Sequence, residues 1–245
     1  MYFHTATTQI AALKAANRAL SKLSGNGLIT ALARRVGGVR AGSSSYVWQL
    51  TAAGARLLDL KCDKSIRARQ RTYETSPQHF WHILAVSETY IQIIGICRKL
   101  GIELLTATPE PNCWRSYRDA DGKEFILKPD LFIKTATTEF EDSFFFEVDL
   151  ASEAPVRVLK KCRRYQGYYK SGKEQKASGV FPYVIWLVPD GKRKDSLKRH
   201  ISEEYSTSPE IFIVIAPEDL EALFRKGTDS FRIRKDESKE IGGKI

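Results

Sequence analysis

The fold is decided by residues 128–169, which open with Lys128-Pro129-Asp130 and continue through an extended apolar run to Phe144-Phe145-Phe146-Glu147-Val148-Asp149. Successive side chains of a strand point to opposite faces, so Glu147 and Asp149 share one face while their neighbours Phe146 and Val148 point into the core. Two carboxylates on an otherwise apolar strand are costly to bury unless a positive group meets them. The pattern therefore predicts a charged site built on a core strand.

Asp130 supplies a third carboxylate to the same place. It stands at the start of a strand predicted over residues 131–135, and a hairpin with the strand at 143–149 sets it opposite Glu147 or Asp149. Three carboxylates suit a hard divalent cation, so we predict that Asp130, Glu147 and Asp149 hold Mg²⁺ or Mn²⁺.

These motifs resemble known families. Pro129-Asp130, followed 17 residues later by Glu147-Val148-Asp149, resembles the PD-(D/E)xK nuclease-like core, with Asp149 where that core normally has lysine. The Glu-Val-Asp strand, the helix after it that ends in Tyr-x-x-Tyr-Tyr, and a winged-helix-like segment before it are similar to the replication-relaxation family. They also resemble the C class of plasmid mobilisation relaxases (MobC-type). The resemblance spans residues 8–220. It implies an α/β protein in which an N-terminal winged helix, whole or truncated, precedes a restriction-endonuclease-like core with a mixed sheet.

The helix predicted over residues 155–169 separates into two faces on a wheel of 100° per residue. One face is mostly apolar, and the other is cationic and carries a tyrosine. The first comprises Val158, Leu159, Cys162, Gln166 and Tyr169, and the second Arg157, Lys160, Lys161, Arg164 and Tyr168.

The cationic face offers a substitute for the missing strand lysine. Lys160, Lys161 or Arg164 could stabilise a phosphorane-like transition state or align a water. Tyr168 could stack a base, orient a phosphate or attack it as a nucleophile. The alternative is a solvated basic face that coats the helix without a catalytic role.

A helix predicted over residues 77–100 precedes these strands. Its apolar stripe comprises Phe80, Ile83, Leu84, Ser87, Ile91 and Ile94. Glu88 lies at the margin of the stripe, and the resemblance makes it a candidate metal ligand or water-positioning residue. The alternative for Glu88 is simple solvation. His79 and His82 are interpreted as surface or capping residues.

Length and charge limit the possible functions. The 245 residues can form one large or two small domains, and 39 Lys and Arg against 29 Asp and Glu give a net charge of +10. Such a surplus favours a polyanionic partner such as DNA. Four scattered cysteines without a C-x-x-C pair argue against zinc and for reduced thiols. No apolar run approaches the roughly 18 residues that span a bilayer, so we predict a cytoplasmic protein without membrane insertion.

The first 60 residues have the element order of a winged helix. A cationic amphipathic helix (8–23), a hairpin (28–30 with 46–50) and a short helix (51–60) follow one another. In such a module the helix enters the major groove and the hairpin tip touches the DNA backbone or minor groove. The alternative is a small packing module. The candidate DNA contacts, together with one from the later helix, are Gln9, Lys14, Arg18, Arg34, Arg35, Arg40 and Arg157.

The remaining pattern completes the domain organisation. Strands at 102–106, 183–188 and 211–215, with helices at 192–205 and 217–225, predict an α/β core. We therefore divide the chain into a DNA-binding module (1–60), a basic linker (61–78), the nuclease-like core (79–225) and a charged tail (226–245).

Three functions are compatible with these features. The first is a site-specific, metal-dependent DNA-nicking protein of the relaxase type, acting at a plasmid or mobile-element origin of transfer or replication, with other mobilisation proteins such as a coupling protein as further partners. The second is a catalytically inactive DNA-binding accessory protein on the same scaffold, which Asp149 in the lysine position favours. The third is a small-molecule enzyme that uses the carboxylates as an acid and base pair. Whether tyrosine or water attacks the phosphate is open on sequence alone.

Overall fold

The structure, a computed structural model, describes residues 9–36, 45–59, 77–119, 121–204 and 209–233. The chain divides into two compact units, residues 1–74 and 75–245. Each unit is described by itself.

The first unit contains a helix, a two-stranded antiparallel hairpin and a second helix. Its elements are α1 (Gln9–Gly25), β1 (Ile29–Val36), β2 (Ser45–Leu50) and α2 (Ala52–Asp59). Ile29 pairs with Leu50, which confirms the predicted hairpin. Thr51 caps the amino end of α2: its hydroxyl oxygen accepts a hydrogen bond from the Gly54 N–H at 3.1 Å.

The second unit is a mixed α/β structure. Its helices are α3 (Pro77–Leu100), α4 (Pro155–Lys170), α5 (Lys173–Ser178), α6 (Gly191–Glu204) and α7 (Leu220–Lys226). Its strands are β3 (Glu103–Pro109), β4 (Arg115–Arg118), β5 (Glu124–Leu127), β6 (Leu131–Ala136), β7 (Glu141–Val148), β8 (Tyr183–Leu187) and β9 (Phe212–Ile215).

Five of these strands form one mixed sheet in the order β3-β6-β7-β8-β9. The first three are antiparallel to one another, whereas β7, β8 and β9 are parallel. The central strand is therefore β7, which carries Glu147. Strands β4 and β5 form a separate antiparallel hairpin.

Helices cover both faces of the sheet. Phe144 and Phe146 pack in the same core cluster as Ile93 of α3 and Leu223 of α7. Phe145, which points the other way, packs in the cluster that α4 and α6 complete. The predicted α/β core is confirmed as three layers, and the apolar runs of β7, β8 and β9 are buried on both faces, including β9 at the edge of the sheet.

The apolar stripe predicted on α3 was wrong in part. Val86, Ile93 and Cys97 are buried, whereas Ile83 and Ile91 are exposed. The helix is apolar on most of its circumference, so hydrophobicity alone did not identify the face that packs. By length and composition residues 78–100 could cross a membrane, and Ile93 and Cys97 of the same helix belong to the core of this unit.

The assignment of Tyr168 to the exposed cationic face of α4 was also wrong. Tyr168 is buried, and its hydroxyl donates a hydrogen bond to Glu174. Glu174 is held in turn by Arg115, whose Nε lies 3.2 Å from Glu174 Oε2. The hairpin of β4 and β5 covers this end of α4 through Tyr117, whose ring lies 5.4 Å from that of Tyr168. The wheel could not reveal this cover, because it comes from a segment 40 residues away in the chain.

A salt bridge joins α6 to the turn before α7. Lys194 Nζ lies 2.8 Å from Asp219 Oδ2, and the same oxygen accepts a hydrogen bond from the Ala216 N–H at 3.0 Å. Partial burial raises the pKa of Asp219, but the hydrogen bonds from Lys194 and Ala216 outweigh it and the net shift is downward.

Candidate active site

Asp130 and Glu147 lie side by side on neighbouring strands. Leu131 pairs with Phe146, so Asp130, the residue before β6, is next to Glu147 as the sequence predicted. The Val148 N–H donates a hydrogen bond to Asp130 Oδ2 at 2.8 Å. Both carboxylates are buried, and the sheet fixes their separation and direction.

Lys161 brings a positive charge to both acids from α4. Its Nζ contacts Glu147 Oε2 and lies 3.7 Å from Asp130 Oδ1. Burial lowers the pKa of Lys161, but the carboxylates of Glu147 and Asp130 outweigh it and raise the pKa, so the amine is charged. Of the three cations proposed to replace the strand lysine, Lys160 and Arg164 are exposed and form no ion pair within the described residues.

Glu147 is enclosed by donors. Lys161 contacts one carboxylate oxygen, and the hydroxyl of buried Tyr165 donates a hydrogen bond to the other. Burial raises the pKa of Glu147 to about 8, which the charge of Lys161 only partly offsets. Through its contact with the Lys161 amine, Glu147 orients Lys161 within the site.

His82 is a member of the site that the sequence interpretation missed. It projects from α3, with Nε2 3.3 Å from Asp130 Oδ1. The hydrogen bond to Asp130 raises the pKa of His82. Burial raises the pKa of Asp130, but Lys161 and His82 outweigh it, so the net shift is downward and Asp130 is ionised. His82 lies four and eleven residues from the buried Val86 and Ile93, on the packed face of α3, and only the structure identifies that face.

Glu110 completes a second group around Asp130. It follows β3, and its N–H donates a hydrogen bond to the carbonyl oxygen of Asp130 at 3.0 Å. One ligand atom each from His82, Glu110 and Asp130 lies within 4.8 Å of the others. Glu110 belongs to no sequence motif, and only the pairing of β3 with β6 brings it here.

Asp149 has a different environment from the other two acids. Its Oδ2 lies 2.6 Å from Arg193 Nε, and its Oδ1 accepts a hydrogen bond from the Ala151 N–H at 2.9 Å. Arg193, on α6, also donates a hydrogen bond to the Glu153 carbonyl oxygen at 2.8 Å. Asp149 is thus neutralised by an arginine that the sequence analysis did not single out.

Several of these groups line one cleft of about 320 Å³. Its charged lining includes His82, Asp130, Glu147, Asp149, Arg157 and Lys161. The cleft is large enough for a phosphate group with a cation, and the oxygen and nitrogen atoms around Asp130 fit a divalent ion.

The other predicted site residues lie elsewhere or outside the description. Glu88 is exposed and accepts a hydrogen bond from Gln92 Nε2 at 3.2 Å, so it does not join the acids. In the first unit Lys14 and Arg18 are exposed on α1. The side chains of Gln9, Arg34 and Arg35, and all of Arg40, lie outside the described residues, as do most of the linker and tail.

Comparison with known proteins places the chain in a family. No curated protein and no solved structure matches it. The family model described as replication-relaxation matches residues 2–184, which include α1, the acids of β6 and β7, and all of α4. The chain therefore belongs to the replication-relaxation family.

Proposed function

We propose that this chain is a site-specific DNA-binding and strand-nicking protein that acts at a plasmid or mobile-element origin of transfer or replication. Family membership indicates a role in plasmid replication or mobilisation. One observation supports nicking: Asp130 and Glu147 are adjacent on paired strands, and Lys161 Nζ reaches both of them. The proposed protein works in the cytoplasm with DNA and other mobilisation proteins, such as a coupling protein, as partners.

The arrangement supports a PD-(D/E)xK-like centre with a relocated lysine. Apart from the β4–β5 hairpin and α5, the order of elements is α3, the antiparallel strands β3, β6 and β7, then α4 and the parallel strand β8. Asp130 immediately precedes β6, and Glu147 is on β7. Asp149 occupies the strand position normally held by lysine, and Lys161 provides the amine from α4 instead. A lysine on a helix can serve the same purpose because its long side chain brings Nζ to the same carboxylates.

The chemistry proposed is metal-dependent hydrolysis of a phosphodiester. A bound Mg²⁺ or Mn²⁺ would polarise the phosphate and lower the pKa of a water molecule. Asp130 anchors the cation side of the site, and Glu147 holds Lys161 where its charge can stabilise the pentacovalent phosphorus. A water oxygen bonds to phosphorus, one ester P–O bond breaks, and the water proton ends on the released alcohol oxygen.

We propose water as the nucleophile, because the tyrosines of α4 near the acids are not placed for attack. The hydroxyls of Tyr165 and Tyr168 are both buried and hydrogen bonded to glutamates. Attack by either oxygen would require that hydrogen bond to break and the helix to move. Hydrolysis leaves no covalent link between protein and DNA.

Exposed basic side chains support DNA binding. In the first unit, Lys14 and Arg18 lie on one exposed side of α1, and we propose that the helix and hairpin act as a winged-helix-like reader of the origin. In the second unit, Arg157 lines the cleft, where it can contact the phosphate backbone.

The test is nicking of supercoiled plasmid DNA that carries the region flanking the chain's own gene, with Mn²⁺ present. Lys161→Met should slow nicking by about 100-fold or more, the usual cost of losing one electrostatic contact to a transition state. Lys160→Met is the matched control, since Lys160 is exposed on the same helix, and it should nick within a few-fold of wild type. Equal rates for the two variants would exclude Lys161 as a catalytic residue.

The inactive accessory protein has one observation in its favour. Glu147 and Asp149 already receive two donors each, so they have less freedom to bind a cation. On that alternative, the wild-type chain binds origin DNA but leaves it supercoiled at any Mn²⁺ concentration. The same nicking assay separates the two functions.

A further inference from the structure

We infer that the cation binds between Asp130, His82 and Glu110, and that the site prefers a first-row transition ion such as Mn²⁺ over Mg²⁺. This inference rests on the proposed function, because it assigns the ligands of the metal that nicking requires. It replaces Glu147 and Asp149, the other two ligands expected from sequence, with two residues that the motif does not contain.

The first argument is the occupancy of the acids on β7. Glu147 receives Lys161 and Tyr165 on its two oxygens, and Asp149 receives Arg193 and the Ala151 N–H on its own. A cation at either carboxylate would displace at least one charge-assisted hydrogen bond, whereas at Asp130 Oδ1 the displaced partner, His82, would itself become a ligand.

The second argument is convergence. His82 comes from α3, Glu110 from the segment after β3, and Asp130 from the start of β6, yet their ligand atoms lie within 4.8 Å of one another. A divalent ion would bring these atoms about 2–2.5 Å from its centre, which requires only small side-chain rotations. Asp130 is buried while His82 and Glu110 are half-buried, so the group is anchored on one side and open to solvent on the other.

The third argument is the position of the charges around Asp130. Lys161 approaches Asp130 Oδ1 at 3.7 Å while remaining on Glu147, and His82 approaches the same oxygen at 3.3 Å. A cation held with His82 and Glu110 leaves the contact between Lys161 and Glu147 intact. A phosphate in the cleft would then contact two positive groups, the ion and Lys161, both of which lie beside Asp130.

The imidazole determines the metal preference. Mg²⁺ takes oxygen ligands almost exclusively, whereas imidazole nitrogen is a good ligand for first-row transition ions. A site with one nitrogen and two carboxylates should therefore bind Mn²⁺ more tightly than Mg²⁺. His82→Gln replaces the imidazole by a side-chain amide of similar length and should reduce the difference in affinity between Mn²⁺ and Mg²⁺.

The experiment is calorimetric titration of the full chain with MnCl₂ or MgCl₂ alone, without DNA. His82→Gln and Glu110→Gln should each weaken Mn²⁺ binding at least tenfold. His82→Gln should also reduce the ratio of the affinity for Mn²⁺ to the affinity for Mg²⁺. The control is Glu88→Gln, at an exposed position of the same helix as His82. This control and Asp149→Asn should bind Mn²⁺ with an affinity within about twofold of wild type. Thermal melting followed by circular dichroism identifies any variant that fails to fold.

The outcomes separate this inference from the proposed function. If His82→Gln and Glu110→Gln bind Mn²⁺ like wild type while Asp149→Asn loses it, the ligand assignment is overturned, although Mn²⁺-dependent nicking by wild type would still support the function. If the ligand variants behave as expected but wild type nicks no DNA, the metal site stands and the proposed function fails. Absence of Mn²⁺ binding by wild type overturns the site.

Discussion

Replacing Tyr165 by phenylalanine tests how the buried glutamate of the site is held. Tyr165 is fully buried, and its hydroxyl is the donor to one oxygen of Glu147, itself only 1% exposed. Phenylalanine keeps the ring and its packing against Phe145, with centroids 5.8 Å apart. The variant therefore removes one hydrogen bond to a carboxylate that water reaches poorly.

The expected loss is about 1.5–3 kcal/mol in the free energy of unfolding, the usual range for a hydrogen bond to a charged group. For a unit of this size a loss of about 2 kcal/mol lowers the melting temperature by roughly 4–8 °C. The hydrogen bond also lowers the pKa of Glu147, so the loss should be larger at pH 9, where the carboxylate is ionised, than at pH 6.

The assay is urea unfolding followed by circular dichroism, in EDTA so that no metal contributes. Tyr169→Phe is the matched control, because its ring packs against Phe181 at 5.2 Å while its hydroxyl forms no hydrogen bond within the described residues. The control should lie within about 0.5 kcal/mol of wild type. If Tyr165→Phe and Tyr169→Phe lower the free energy of unfolding by the same amount, the Tyr165 hydroxyl does not hold Glu147 as described.

Three further predictions concern stability. Because burial raises the pKa of Glu147 to about 8 from its ordinary value of 4.5, the folded state binds more protons between these values, and the free energy of unfolding should fall as pH rises from 4.5 to 8; Glu147→Gln should lack this slope in urea titrations at several pH values. Gly167→Ala should cost about 1–3 kcal/mol in chemical denaturation, since its new methyl group would lie 2.8 Å from the Tyr117 hydroxyl, whereas Gly95→Ala, with open space around it, should gain about 0.5–1 kcal/mol. Asp219→Asn should cost about 1 kcal/mol at pH 7, and because the pKa of Asp219 is depressed this cost should shrink as pH falls below 3.8, measured by the difference in unfolding free energy from wild type.

The sequence predicted the parts of the molecule that depend on local pattern. The apolar runs of β7, β8 and β9 identify buried strands because helices cover both of their faces. The Pro129-Asp130 and Glu147 motifs belong to one hairpin, so chain proximity was enough to bring their acids together. Lys161 was among three candidates on α4, and only the structure distinguished it from Lys160 and Arg164.

The parts that were missed depend on contacts between distant segments. His82, Glu110 and Arg193 each reach the acids from another element, and no spacing within one element reveals such a contact. Tyr168 was placed on the cationic face of α4 because a helical wheel has no information about the hairpin that covers it. The prediction of the apolar stripe on α3 was wrong in part for a related reason. When a helix is apolar on most of its circumference, only its packing partners determine which side is buried.

The position of the Lys161 amine on α4 separates the charged cluster into a fixed half and an adjustable half. Strand β7 is hydrogen bonded to β6 on one edge and to β8 on the other, so the anionic groups cannot shift without disrupting the sheet. The ammonium group, by contrast, is carried at the end of a long flexible side chain on a surface-layer helix. A rotation or short slide of that helix would reposition the cation while leaving the acids in place.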